Sequence, residues 1–110
     1  MYEKYPTDPA SCILNGFLFA LVGLYDFGRT GHSGAEHAQA LFEAGLNTLS
    51  HILPLYDDDL CSLYDLGYVF AVPMPKHKNP YYHWIHVNLL VAIHSVQPSP
   101  VYRHFIAKWK

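Results

Sequence analysis

Two stretches of this chain, residues 12–27 and 82–96, read as helices without a polar face, and that constrains the fold more than any other feature. In the first, Ile13, Leu14, Phe17, Leu18, Phe19, Leu21, Val22 and Leu24 point in every direction. In the second, Trp84, Ile85, Leu89, Leu90, Val91, Ile93 and Val96 do the same, with His86 and Asn88 embedded among them. A helix apolar all round has to be covered on all sides. Neither run is long enough to cross roughly 30 Å of hydrocarbon. Gly16, Ala20 and Gly23 share one stripe of the first helix, where another backbone is expected to approach closely.

Each apolar helix is followed by an amphipathic one. Over residues 35–53, Ala38, Leu41, Phe42, Gly45, Leu46, Leu49, Ile52 and Leu53 recur at three- and four-residue steps. Glu36, Gln39, Glu43, Asn47 and Ser50 fall largely outside that stripe. Ser33 is the expected cap and Pro54 the stop. Over residues 101–109, Val101, Tyr102, Phe105, Ile106 and Trp109 form the apolar stripe, and Ser99-Pro100 is a strong start signal. Ser11 stands where it can cap the first helix.

Between the two pairs, residues 63–72 alternate and read as a short strand or extended rim. Pro73-Met74-Pro75 ends it, and Lys76-His77-Lys78-Asn79-Pro80 is a basic turn. The order implies a mainly all-α fold of two helical hairpins, a partial α/α toroid with an extended rim segment. An antiparallel bundle is the alternative. At 110 residues the chain is one domain, residues 1–110.

Composition narrows the function. Half the residues are hydrophobic and 15% are charged, which excludes a disordered chain. A net charge of −2 argues against general nucleic-acid binding. The apolar surplus calls for a cover of further chain or a partner. No signal peptide is expected, since Met1-Tyr2-Glu3-Lys4 runs into Tyr5-Pro6 without an apolar core. Cys12 and Cys61 have no metal spacing, and Cys12 reads as a packed thiol. Asp57-Asp58-Asp59 lacks the glycine and distal glutamate of a calcium loop and reads as surface.

The chemistry-bearing residues gather between Tyr64 and His86. A phenol serves as a base only beside a cation or hydrogen-bond donor, and both Tyr64 and Tyr82 stand at element ends with polar neighbours. His83 and His86, three apart on a helix, share a face but lack a third metal ligand, so no metal is assigned. His86 reads as a buried orienting residue and His83 as facing a cleft. His94 and His104 read as surface or packing residues, and His32, His37 and His51 as solvated. Lys76 and Lys78 are placed to attract an anion.

Several short runs resemble the C-terminal domain of the D-glucuronyl C5-epimerases. They are Asn15-Gly16-Phe17, Gly23-Leu24-Tyr25-Asp26, Leu53-Pro54-Leu55-Tyr56-Asp57, Tyr64-Asp65-Leu66, Tyr82-His83 with His86 and Asn88, and Ser99-Pro100-Val101 with Trp109-Lys110. They occur in the family's order over essentially the whole chain.

The resemblance implies inversion of C5 of D-glucuronate to L-iduronate in a heparosan- or heparan-type polysaccharide. It implies Tyr64, Tyr82 and Tyr5 as catalytic tyrosines, the first two opposed across a cleft. His83, His86, Asn88, Asn15, Lys76 and Lys78 are then the substrate-binding set. No cofactor is implied. The partner is an acidic, glucuronate-containing polysaccharide, and a homo-oligomer or the remainder of a toroid would cover the apolar helices. For an animal protein a Golgi location is implied. Lys4, Gly67 and Asn79 stand where the family carries an acidic residue, an arginine and a basic residue. The alternative is an inactive remnant that binds acidic glycan or assembles with another chain.

Overall fold

The computed structural model describes Tyr2 and residues 12–59, 61–70 and 75–110. It is built from four long helices and one short one: α1 (Leu14–Gly28), α2 (Ala35–Ile52), α3 (Gly67–Phe70), α4 (Pro80–Val96) and α5 (Pro100–Trp109). A 3₁₀ turn, Leu53–Tyr56, carries Pro54 and ends α2. The fold is mainly all-α, and no sheet forms among the described residues.

The helices pair as hairpins, α1 with α2 and α4 with α5, and the hairpins join where α1 meets α4. One core runs through all four. Phe17, Leu18 and Leu21 of α1 meet Phe42, Leu46 and Leu49 of α2, Leu90 and Ile93 of α4, and Tyr102, Phe105 and Trp109 of α5. The Tyr102 hydroxyl, buried and with its pKa pushed up to about 12 by desolvation, donates to the Leu46 carbonyl at 3.0 Å. That bond ties the two amphipathic helices together.

Of the expected stripe, Gly23 shows no close approach, since a Cβ there would meet nothing within 4 Å, whereas one at Gly45 of α2 would run into the Leu21 side chain and lie 3.1 Å from the Tyr2 ring. The tight contact is α2 against α1, through Gly45.

The apolar helices are also covered on fewer sides than their sequences demand. Tyr81, Trp84 and Val91 lie outward on α4, and Phe19 and Phe27 on α1. Phe19 is 53% exposed and Trp84 56%, so a substantial apolar surface faces outward.

One cap differs from expectation. Ser33 does not cap α2; Gly34 stands at its N-cap, and Ala35 N–H donates to the His32 carbonyl at 3.0 Å. Ser11 lies outside the described residues. In the first turn of α1, Leu14 N–H donates to the distant Tyr64 carbonyl at 2.9 Å. At α5, Ser99 Oγ accepts from Val101 N–H as its sequence signals.

The strand expected over residues 63–72 is replaced by something shorter. Leu63 makes a single antiparallel bridge to Lys78, and Ser62 one to Asp57. Asp65 then accepts Gly67 N–H through Oδ1 at 3.2 Å, and Val69 and Phe70 donate back to the Leu66 carbonyl. A short polar side chain bonding its own backbone turns the chain into α3, overriding the alternating pattern. Residues 71–74 lie outside the described residues.

Candidate functional site

Tyr64 and Tyr82 come together. Their ring centroids are 5.1 Å apart at an interplanar angle of 50°, a packed aromatic pair. Both rings are partly exposed. At 5.1 Å no sugar ring fits between the two ring faces, so the phenols are neighbours on one wall rather than opposed across a cleft.

The backbone explains the pairing. Tyr64 is held on both sides, with its carbonyl accepting from Leu14 and its N–H donating to the His77 carbonyl at 2.8 Å. Tyr82 sits in the first turn of α4, where Asn79 Oδ1 accepts Tyr81 N–H at 3.1 Å and Tyr82 N–H at 3.4 Å. Asn79 with Pro80 at the first helical position is a strong N-terminal cap. The basic turn is therefore also the start signal of α4, two residues earlier than the apolar run shows.

A third ring joins the pair. The His77 imidazole lies 4.7 Å from Tyr64, and its Nδ1 is 3.8 Å from Asp65 Oδ2. His77 also lines an open cleft of about 570 Å3 with Asp65, Pro75, Lys76 and Lys78. A smaller, more apolar pocket of about 210 Å3 lies at the opposite ends of α1 and α4, among Val22, Tyr25, Phe42 and Ile93. It is remote from the tyrosines.

Lys76 and Lys78 reach this cleft already engaged. Both pair with Asp58, Lys76 at 3.6 Å, and Lys76 also lies 5.3 Å from the Tyr68 ring centre. The Asp58 carboxyl is held below its ordinary range, chiefly by the hydrogen bond from Lys78. The acidic run read as plain surface thus neutralises the basic turn. Asp57 works inward. Burial acts to raise its carboxyl, but hydrogen bonds from Lys108 and the Trp109 indole outweigh it and leave it lowered. Trp109 Nε1–H donates to Asp57 Oδ1 at 3.0 Å.

His86 is buried, as expected, but His83 departs from expectation, because it too is buried rather than open to a cleft. Its Nε2–H donates to the Trp109 carbonyl at 2.9 Å, and its Nδ1 accepts Ser62 N–H at 3.0 Å. Ser62 Oγ lies 3.0 Å from the same Nδ1 and 2.7 Å from His86 Nδ1. A carbonyl only accepts and an amide N–H only donates, so His83 is neutral with its hydrogen on Nε2. Both serine contacts then carry a hydrogen when the Ser62 hydroxyl donates to His83 Nδ1 and accepts from His86 Nδ1–H.

His86 is 1% exposed and stays neutral, its pKa pushed down to about 3 by burial and then by His83. Its Nε2 has no hydrogen-bond partner among the described residues, and neither has Oδ1 of buried Asn15. Asn15 directly follows Leu14, whose N–H holds Tyr64. Asn88 is exposed on the outward stripe of α4, apart from the two histidines. Tyr5 lies outside the described residues. Among the described residues no group of three or more His, Cys, Asp or Glu is placed to hold a metal. No helix among them is long and apolar enough to cross a membrane.

Ser62 is the residue that sequence reasoning missed. A lone serine after Cys61 carries no local signal, and its role exists only through α4. The Asp57–Trp109 bond was within reach, because a buried indole N–H demands an acceptor.

Residues 1–110 match the D-glucuronyl C5-epimerase C-terminus. The chain belongs to that family. It is 36% identical to the D-glucuronyl C5-epimerase of Caenorhabditis elegans over 118 aligned residues, covering 98% of this chain and 19% of that protein. It is 27% identical to an uncharacterized protein of Methanocaldococcus jannaschii over 111 residues, covering 99% of this chain and 32% of that protein. The chain therefore spans about a fifth to a third of the length of these curated relatives. Tyr64, Tyr82, His83 and His86, which carry the resemblance to the epimerase domain, converge in this structure on the loop between residues 61 and 66 and the start of α4.

Proposed function

We propose that the chain carries the proton-transfer wall of a uronyl C5-epimerase, converting D-glucuronate to L-iduronate within a heparosan- or heparan-type polysaccharide. The observation that supports this reading most is the Tyr64–Tyr82 pair, held at 5.1 Å by elements from both hairpins.

The chemistry follows from the substrate. C5 is α to a carboxylate, so removing its proton leaves charge that delocalises into the carboxyl group. One phenolate takes the C5 proton; the other phenol returns its own proton to the opposite face of the planar intermediate, giving the inverted centre. Because no sugar fits between the ring faces, the transfer takes place at the hydroxyl ends of the pair. Tyr5 is a third tyrosine for the same wall. The cleft beside His77 receives the chain of the acidic polysaccharide, and Lys76 and Lys78, shared with Asp58, set its charge. The two hairpins form an arc of an α/α toroid.

Product analysis tests this. Heparosan incubated with the chain is expected to acquire iduronate, and the Tyr64→Phe/Tyr82→Phe double variant is expected to leave glucuronate only. Absence of iduronate with the folded native chain would count against the reading.

The outward apolar stripes of α1 and α4 favour a second reading, in which the chain acts by assembling with another chain. Sedimentation separates the two: assembly without iduronate formation supports the second.

A further inference from the structure

We propose that Ser62 is a positioning residue for the Tyr64–Tyr82 pair, fastening the loop that carries Tyr64 to the helix start that carries Tyr82. The role in catalysis rests on the function proposed above; the positioning itself does not.

Ser62 stands two residues before Tyr64, and His83 directly follows Tyr82. The Ser62–His83 bonds are therefore a short tether between the two phenols. The tether belongs to a closed circuit. Ser62 binds His83, His83 Nε2 binds the Trp109 carbonyl, the Trp109 indole binds Asp57, and Asp57 bridges back to Ser62. Three segments, the 57–62 loop, α4 and the end of α5, are locked at one point, and all of Ser62, His83 and Trp109 are buried.

Stability alone does not call for this arrangement. Two buried imidazoles lose their hydration, and His86 Nε2 recovers no partner among the described residues in exchange. Apolar side chains of the same shape would fill the space without that loss. What the polar trio adds is direction, since each bond fixes a ring angle as well as a distance. The serine hydroxyl reaches both imidazoles, so it sets the loop against one face of α4 at two points.

The test uses the full chain with ring-labelled tyrosine, each resonance assigned by a Tyr→Phe variant. Ser62→Ala is expected to fold, to shift the Tyr64 and Tyr82 resonances and to weaken the contact between their rings. Tyr25 and Tyr102 should stay in place, and Ser62→Thr, which keeps the hydroxyl, should restore the native signals. In C5 proton exchange, Ser62→Ala is expected to lower kcat about 10- to 100-fold, with KM within about twofold.

Unchanged Tyr64 and Tyr82 resonances in folded Ser62→Ala overturn the proposal. If Ser62→Ala does not fold, Ser62→Cys replaces it, keeping the volume with weaker hydrogen bonds. The same shifts in smaller measure are then expected, and their absence overturns the proposal. A native chain without exchange, but with the resonance shifts in place, refutes the epimerase reading and leaves the positioning intact.

Discussion

Ser62 Oγ lies 2.7 Å from His86 Nδ1, and this bond holds a histidine that the fold keeps neutral. Burial depresses the folded pKa to about 3 from an ordinary 6.5. Above that ordinary value both folded and unfolded chains leave His86 neutral, so its contribution is complete. Below it, the unfolded chain binds a proton that the folded chain refuses, and stability falls with pH. Each pH unit below about 6.5 is expected to cost on the order of 1 kcal/mol until His86 itself protonates near pH 3. Urea midpoints at pH 7 and pH 5 measure this. His86→Asn should flatten the dependence; parallel profiles for the two proteins would contradict the assignment.

Gly45 and Gly23 should respond to alanine with opposite signs. A methyl at Gly45 enters the space of Leu21, a fully buried side chain with nowhere to move, and Gly45→Ala is expected to cost about 1–3 kcal/mol. Gly23 is an exposed helical position with open space around it, and Gly23→Ala is expected to stabilise by about 0.5–1 kcal/mol. Thermal or urea melts of the two variants check both signs.

Asn79 links the helix cap to the site. Asn79→Ala removes the acceptor for Tyr81 and Tyr82 N–H and is expected to cost about 1 kcal/mol, while Asn79→Asp retains the cap. Because Tyr82 lies in the turn that frays, its amide should exchange with solvent faster in Asn79→Ala. An unchanged Tyr82 exchange rate would show that α4 starts without this cap.

The helices were legible because their information is local. Periodicity located α2, and Ser99-Pro100 located the start of α5 to the residue. The rim departs from the alternating pattern because Asp65 accepts the Gly67 N–H and redirects the chain, a local bond that a two-residue period does not reveal. The site was half legible. Tyr64, Tyr82 and the His83–His86 spacing stood out as residues, but their arrangement depends on partners distant in the chain. Leu14 holds Tyr64 across 50 residues, and Ser62 reaches His83 across 21. Lys76 and Lys78 looked free for an anion because nothing in their own turn reveals Asp58.

The central claim, that the Tyr64–Tyr82 pair moves the proton at C5 of a uronate, is tested most directly in heavy water. The chain is incubated with heparosan in D2O and deuterium at C5 of the uronate is followed by NMR. The account predicts incorporation at C5, reduced about 10²–10⁴-fold by either Tyr64→Phe or Tyr82→Phe in proteins that remain folded. No deuterium at C5 with the folded native chain, or incorporation that both variants leave unchanged, would contradict it.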